Sequence, residues 1–238
     1  MALDGADSVR VVDLVERRAC FHFTIASRWL QEGVTISDMA MLPGNAESLI
    51  VSARSGSGSD GVLQVLDNGT PRPVEYHGFS SSSPTFIETI DENRLWLMTQ
   101  YYPYGPLEVQ VDDDGIRAAN QRPLGNLRFS SADMVYANDV LYMTSGQVVD
   151  PFVPKLLGTF PAQGAMAIDS QRHEAYFPGT SSVTPEVRVY DTREFTLLRT
   201  MPVPVPISTY ASITQLLRWG PSGLVLNTSA GLKFMKVE

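Results

Sequence analysis

One strand pattern recurs along this chain at a nearly constant spacing. Val9-Arg10-Val11-Val12-Asp13-Leu14-Val15-Glu16 returns as Val187-Arg188-Val189-Tyr190-Asp191-Thr192-Arg193-Glu194, with five of eight positions identical. Related strands begin near Val62, Leu107, Gln147 and Leu232, so residues 9 to 232 are covered in five steps of about 45 residues. A unit of that length made of short strands cannot bury its own faces. It must stack on copies of itself.

Within each repeat the second strand is the most apolar. It is Leu49-Ile50-Val51-Ser52-Ala53, then Leu95-Trp96-Leu97-Met98-Thr99, then Val140-Leu141-Tyr142-Met143-Thr144. Glu174-Ala175-Tyr176-Phe177 and Leu224-Val225-Leu226-Asn227-Thr228 continue the series. Nearly unbroken apolar runs suit strands covered on both faces. The third strand alternates, as in Leu107-Glu108-Val109-Gln110-Val111. Turns such as Asp67-Asn68-Gly69 and Asp112-Asp113-Asp114-Gly115 follow, supplying residues that tolerate positive φ. The segment 27–33 is the nearest candidate for a helix and is too short to be stable alone.

These features predict an all-β chain. It is a β-propeller of four-stranded antiparallel blades, with about five blades present in a single domain over residues 1–238. The complete blades fall near residues 36–77, 85–122, 132–161 and 164–203, with partial blades near 1–26 and 213–238. Both ends supply a third strand, so the phasing favours an open arc cut from a larger ring. An open arc exposes sheet edges and an apolar end face, which predicts self-association.

Composition narrows the function classes. A net charge of −8 with pI near 4.9 argues against a nucleic-acid backbone and anionic lipid as partners. No run reaches the ~18 apolar residues of a membrane helix, which predicts no membrane insertion. Cys20 is the sole cysteine, which excludes an intramolecular disulfide and a cysteine metal site. Its apolar setting, Cys20-Phe21-His22-Phe23, predicts a buried and inert thiol. The first residues have neither a basic nor an apolar leader region. Two localisations follow: cytoplasmic, or a piece of a longer exported protein.

The residues also resemble a known family. The carrying segments are Leu3-Asp4-Gly5-Ala6-Asp7-Ser8-Val9-Arg10, Ser37-Asp38-Met39-Ala40 through Pro43-Gly44, and Asp67-Asn68-Gly69 through Arg72-Pro73. Further segments are Ser145-Gly146-Gln147-Val148-Val149-Asp150-Pro151, Leu156-Leu157-Gly158-Thr159-Phe160-Pro161, and Leu217-Arg218-Trp219-Gly220 through Gly223-Leu224. Together they resemble the bacterial seven-bladed propellers of the YVTN/WD40-like repeat class, in the C-terminal part of large secreted proteins. The resemblance implies a seven-bladed, exported parent, extracellular or periplasmic, with no catalytic residues to carry over. The chain lacks the Trp-Asp dipeptide of eukaryotic WD40 repeats.

Several constellations invite chemistry. Gly56-Ser57-Gly58-Ser59-Asp60-Gly61 matches a dinucleotide fingerprint, but a strand follows where a helix is required, so a flexible loop is expected. Asp112-Asp113-Asp114-Gly115 lacks the acidic first and last ligands of a calcium loop, so a hairpin turn is expected. His22, His77 and His173 fall on separate elements, and neither a metal nor a cofactor is predicted. Asp38 and Asp133 start equivalent innermost strands. With Glu88 they are the candidate channel carboxylates, although such an aspartate more often holds backbone amides. The loop Gln100-Tyr101-Tyr102-Pro103-Tyr104-Gly105-Pro106 offers three tyrosines on a rigid segment, suited to sugars or peptides. Arg54, Asp60 and Glu186 occupy corresponding loops. The alternative is that these tyrosines pack on one another.

The leading functional expectation is a non-catalytic binding or scaffold propeller for a protein, peptide or glycan, with Tyr101, Tyr102, Tyr104, Arg54, Asp60 and Glu186 as ligand contacts. One alternative is a hydrolase or lyase acting in the central channel. The other is a structural spacer.

Overall fold

The local elements follow from alternation and turn chemistry. Asn68 and Gly69 both take positive φ, 49° and 84°, which closes the tight reversal the Asp-Asn-Gly sequence predicts. Asp91, Asp112, Asp150, Asp169 and Asp191 each accept a backbone N–H two residues further on. Part of the chain's acidity is thus spent on closing turns.

The computed structural model describes residues 7–13, 16–30, 33–56, 60–79, 83–99, 106–121, 133–153, 155–179, 185–203, 213–229 and 231–237. Among these there are 22 strands and no helix. Contacts divide the chain into two compact units, residues 1–131 and 132–238.

The first unit opens with a hairpin, β1 (Ser8–Asp13) and β2 (Arg18–Thr24). The next sheet holds β3 (Thr35–Met41), β4 (Ser48–Arg54) and β5 (Asp60–Asp67). Both β6 (Thr70–Pro71) and β7 (Tyr76–Phe79) pair with the far side of β5. A meander follows: β8 (Pro84–Asp91), β9 (Arg94–Thr99), β10 (Leu107–Asp112) and β11 (Gly115–Gln121).

The second unit repeats the meander as β12 (Met134–Ala137), β13 (Val140–Met143), β14 (Gln147–Asp150) and β15 (Lys155–Thr159). It does so again as β16 (Ala167–Asp169), β17 (Glu174–Pro178), β18 (Glu186–Asp191) and β19 (Leu197–Pro202). The final sheet has three strands, β20 (Ile213–Trp219), β21 (Gly223–Thr228) and β22 (Gly231–Lys236). These are the blades of a β-propeller, as the repeat predicts.

Burial explains the composition of the second strands. Ile50 packs toward the β8–β11 sheet while its neighbour Val51 packs toward β1 and β2. In the second unit Tyr176 faces the final sheet while Ala175 and Phe177 face the β12–β15 sheet. Each of these strands therefore has two covered faces, which is why polar residues are rare in them. Cys20 departs from its expected burial and is exposed. The run around it alternates: Phe23 packs on the core, while Cys20 and His22 share the opposite, uncovered face of β2. Residues 27–30 of the segment 27–33 form a turn, with Leu30 N–H donating to the Ser27 carbonyl at 3.2 Å.

Adjacent sheets of the first unit are also tied by backbone. Val74 N–H donates to Asp114 O at 2.8 Å, and Ile116 N–H donates to Val74 O at 2.9 Å. Val74 thereby pairs in parallel with Gly115, across from one sheet to the hairpin of the next. Arg72 reinforces the tie. It grips both Asp67 carboxylate oxygens at 2.9 and 3.0 Å and donates to the Asp112 carbonyl at 2.6 Å. Gly115 has φ +122°, and a Cβ there would lie 2.1 Å from Val74 O. Gly115→Ala should therefore destabilise the chain by about 2–4 kcal/mol in urea unfolding, through strain and a broken tie. A loss within about 0.5 kcal/mol, the range of ordinary surface changes, would contradict the tie.

Candidate functional site

Asp38 follows a β-bulge, since the β3–β4 register slips between Ile36 and Asp38. Its Oδ1 accepts Met39 N–H at 2.8 Å, and its Oδ2 accepts Ile87 N–H at 2.9 Å from β8 of the neighbouring sheet. The carboxylate thus bridges two innermost strands by backbone hydrogen bonds, the structural role such an aspartate can serve. Glu88 sits beside Ile87 on β8, half-buried and opposite Trp96.

Asp133 holds the same place before β12 in the second unit, and its Oδ1 accepts Met134 N–H at 2.7 Å. Among the described residues its carboxylate has no counterpart to the second amide that Asp38 receives. Burial pushes the Asp133 carboxyl up to about 6, against the opposing pull of the Met134 amide. A carboxyl with a raised folded pKa favours the folded state below its unfolded value, 3.8, and loses that advantage as pH rises toward 6. Asp133→Asn keeps an acceptor for Met134 and removes the buried charge. It should stabilise the protein at pH 8 by up to about 3 kcal/mol, with the gain vanishing below about pH 4. Urea melts at both pH values test this, and a variant less stable at pH 8 would reveal a partner for the charge.

Across the sheet that holds Asp38, on its outer strands, lies an aromatic column. Gln64, buried on β5, donates through Nε2 to Ala26 O at 2.9 Å and to Glu75 at 2.6 Å. Ser27 Oγ donates to the other Glu75 oxygen at 3.0 Å, and Trp29 N–H donates to Ser27 Oγ at 3.1 Å. These bonds fix the turn that lays Trp29 on His77. The rings stack 4.3 Å apart and 7° from parallel. The Arg28 guanidinium lies 4.7 Å from the Trp29 ring centre, and His77 Nε2 lies 3.3 Å from Asp60 Oδ1. Trp29 stays exposed. Arg54 ends β4 opposite Gly61, so Arg54 and Asp60 belong to the same end of this sheet.

The predicted contacts are therefore distributed. Asp60 joins an aromatic pair, Trp29 and His77, absent from the expected set, while Arg54 shares only that end of the sheet and lies on its opposite face. Glu186 lies in the second unit, where Arg188 Nε donates to it at 3.0 Å. Tyr101, Tyr102 and Tyr104 lie outside the described residues. So do residues 57–59 of the glycine-rich loop, after which strand β5 begins. Asp112 through Gly115 form the β10–β11 hairpin, with Arg117 paired to Asp112 and Asp114. His22 is on β2, His77 on β7 and His173 in the β16–β17 turn. Among the described residues no group of three His, Cys, Asp or Glu side chains could hold a metal ion. No described helix is long and apolar enough to cross a membrane.

No protein-family model matches the sequence, and no curated protein is similar to it in sequence. Solved structures are similar in fold. The RRP9 WD40 repeats match with a TM-score of 0.65 at 8% identity, over 98% of this chain and 71% of that one. The Cps50 (Swd1) β-propeller domain of Myceliophteria thermophila matches at 0.60 and 12% identity, over 98% and 78%. A chain of a mitotic checkpoint complex matches at 0.63 and 11%, over 98% and 72%. This chain spans only 57% of the Dos1 propeller chain, with a TM-score of 0.53 at 11% identity. At such identities the likeness establishes a WD40-like propeller fold.

Proposed function

We propose that this chain is a non-catalytic binding and scaffold propeller. It takes a protein, peptide or glycan at the end of the blades where second and third strands connect. The observation that carries the reading is the Arg28–Trp29–His77–Asp60 column. It is an exposed, rigid, amphipathic surface held in place by Gln64 and Glu75. Aromatic rings with a polar rim are what sugar and peptide recognition uses. The Tyr101, Tyr102 and Tyr104 loop joins β9 to β10, the same kind of connection in the next sheet, and completes the proposed surface. Similar propellers occur within a mitotic checkpoint complex and a nidogen/laminin complex, which fits a scaffold role. The family resemblance adds an exported, seven-bladed bacterial parent to this reading.

Asp133 supports a second reading, an acid–base enzyme. A carboxyl near pH 6 is in the range general acid–base chemistry uses. Catalysis also needs a second titratable group in reach. Asp38, the equivalent carboxylate, is bonded to backbone instead.

Peptide and glycan arrays, with hits titrated by calorimetry, test the binding reading. Trp29→Ala and the triple Tyr101, Tyr102, Tyr104→Ala variant should each raise Kd at least about tenfold, the cost of losing a central aromatic contact. Hits whose Kd is unchanged in both variants would end the assignment.

A further inference from the structure

The reversal between β5 and β6 joins two residues that can react with each other. Of the chain's asparagines only Asn68 is followed by glycine. In an Asn-Gly pair the glycine nitrogen can attack the asparagine side-chain carbonyl, because no β-carbon shields the approach.

Three observations put this pair within reach of that reaction. Asn68 is exposed, so water has access to its side chain. Among the described residues nothing accepts the Gly69 N–H, so the nucleophile is not tied into the hairpin. The Asn68 side chain is held among these residues by a single bond, from Nδ2 to Glu47 Oε2 at 2.9 Å, which leaves its carbonyl oxygen open. The fold also requires the glycine. Its φ is +84°, and a Cβ there would lie 2.8 Å from the Phe23 ring. Asn138 supplies the contrast. It is also exposed and has nearly the same left-handed φ, 51° against 49°, but Asp139 follows it, so a side chain crowds the next nitrogen.

We infer that Asn68 is a site of spontaneous deamidation, a slow modification that loosens the tie between the β3–β7 and β8–β11 sheets. The Gly69 nitrogen bonds to Asn68 Cγ, and the Cγ–Nδ2 bond breaks. The proton of the attacking nitrogen passes through water to the leaving amine, which departs as ammonia. Water then opens the succinimide at either carbonyl. One opening leaves aspartate at position 68. The other leaves isoaspartate, which puts the side-chain methylene into the main chain. Either product sets a carboxylate against Glu47 where a hydrogen bond stood. Isoaspartate also lengthens a reversal whose length sets the Asp67–Thr70 register. Asp67 holds Arg72, which reaches the Asp112 carbonyl, and Val74 beyond it pairs with Gly115. A slip at the reversal is therefore passed to the contact between the sheets.

Ageing the protein in mildly alkaline buffer tests the reaction, with a synthetic peptide of residues 64–72 kept beside it as the clock. Digestion and mass spectrometry should find aspartate and isoaspartate at position 68 by the time the peptide has converted fully, with Asn138 unchanged. Asparagine alone at position 68, or equal conversion of Asn138, overturns the site. The aged protein, separated by its added negative charge, tests the consequence. Its Val74 and Ile116 amides, the donors of the tie, should exchange about five- to thirtyfold faster than in fresh protein. Unchanged exchange at both overturns the loosening.

Discussion

A sheet with two apolar faces and no helix beside it can be stable only between other sheets. That constraint organises this chain. It explains why Ile50 and Val51, or Tyr176 and Phe177, are adjacent in sequence yet serve different cores. It also explains the near-constant spacing of the repeat, because each unit must present matching faces to its neighbours. Polar ties act on top of this packing. In the first unit Asp38 reaches Ile87, Arg72 reaches Asp112 and Val74 pairs with Gly115. In the second, Arg218 of the final sheet meets Asp169 at 2.8 Å and lies over the Tyr176 ring.

The same constraint separates structure from function among the charges. A chain with a net charge of −8 invites a search for cation or substrate sites. Many of its aspartates are occupied otherwise, closing hairpins or bridging strands. Among the described residues the first unit also presents an exposed Trp29 stacked on His77. Propellers present such surfaces on a rigid frame, which lowers the ordering cost of binding.

Local pattern made much of the fold legible in the sequence. Continuous apolar runs marked the second strands, and Asp-Asn-Gly marked a reversal because its residues tolerate the positive φ found there. What local pattern could not carry was the identity of the covering neighbour. Cys20 sits in an apolar run, yet it faces outward because β2 alternates and only one of its faces is covered. Trp29 and His77 are 48 residues apart and are brought together by the bonds of Ser27, Gln64 and Glu75. Asp38 and Asp133 share a local sequence, and among the described residues they differ because Asp38 alone receives an amide from the next sheet.

In each unit the sheets are stable because neighbours cover them. Amide hydrogen exchange tests this most directly. The amides of β4, β9 and β17 should exchange only through unfolding of their whole unit, at one common free energy per unit. If β17 exchanged as fast as the outer strand β19, with the rest of its unit still protected, the sheets would be stable one by one and the account would be wrong.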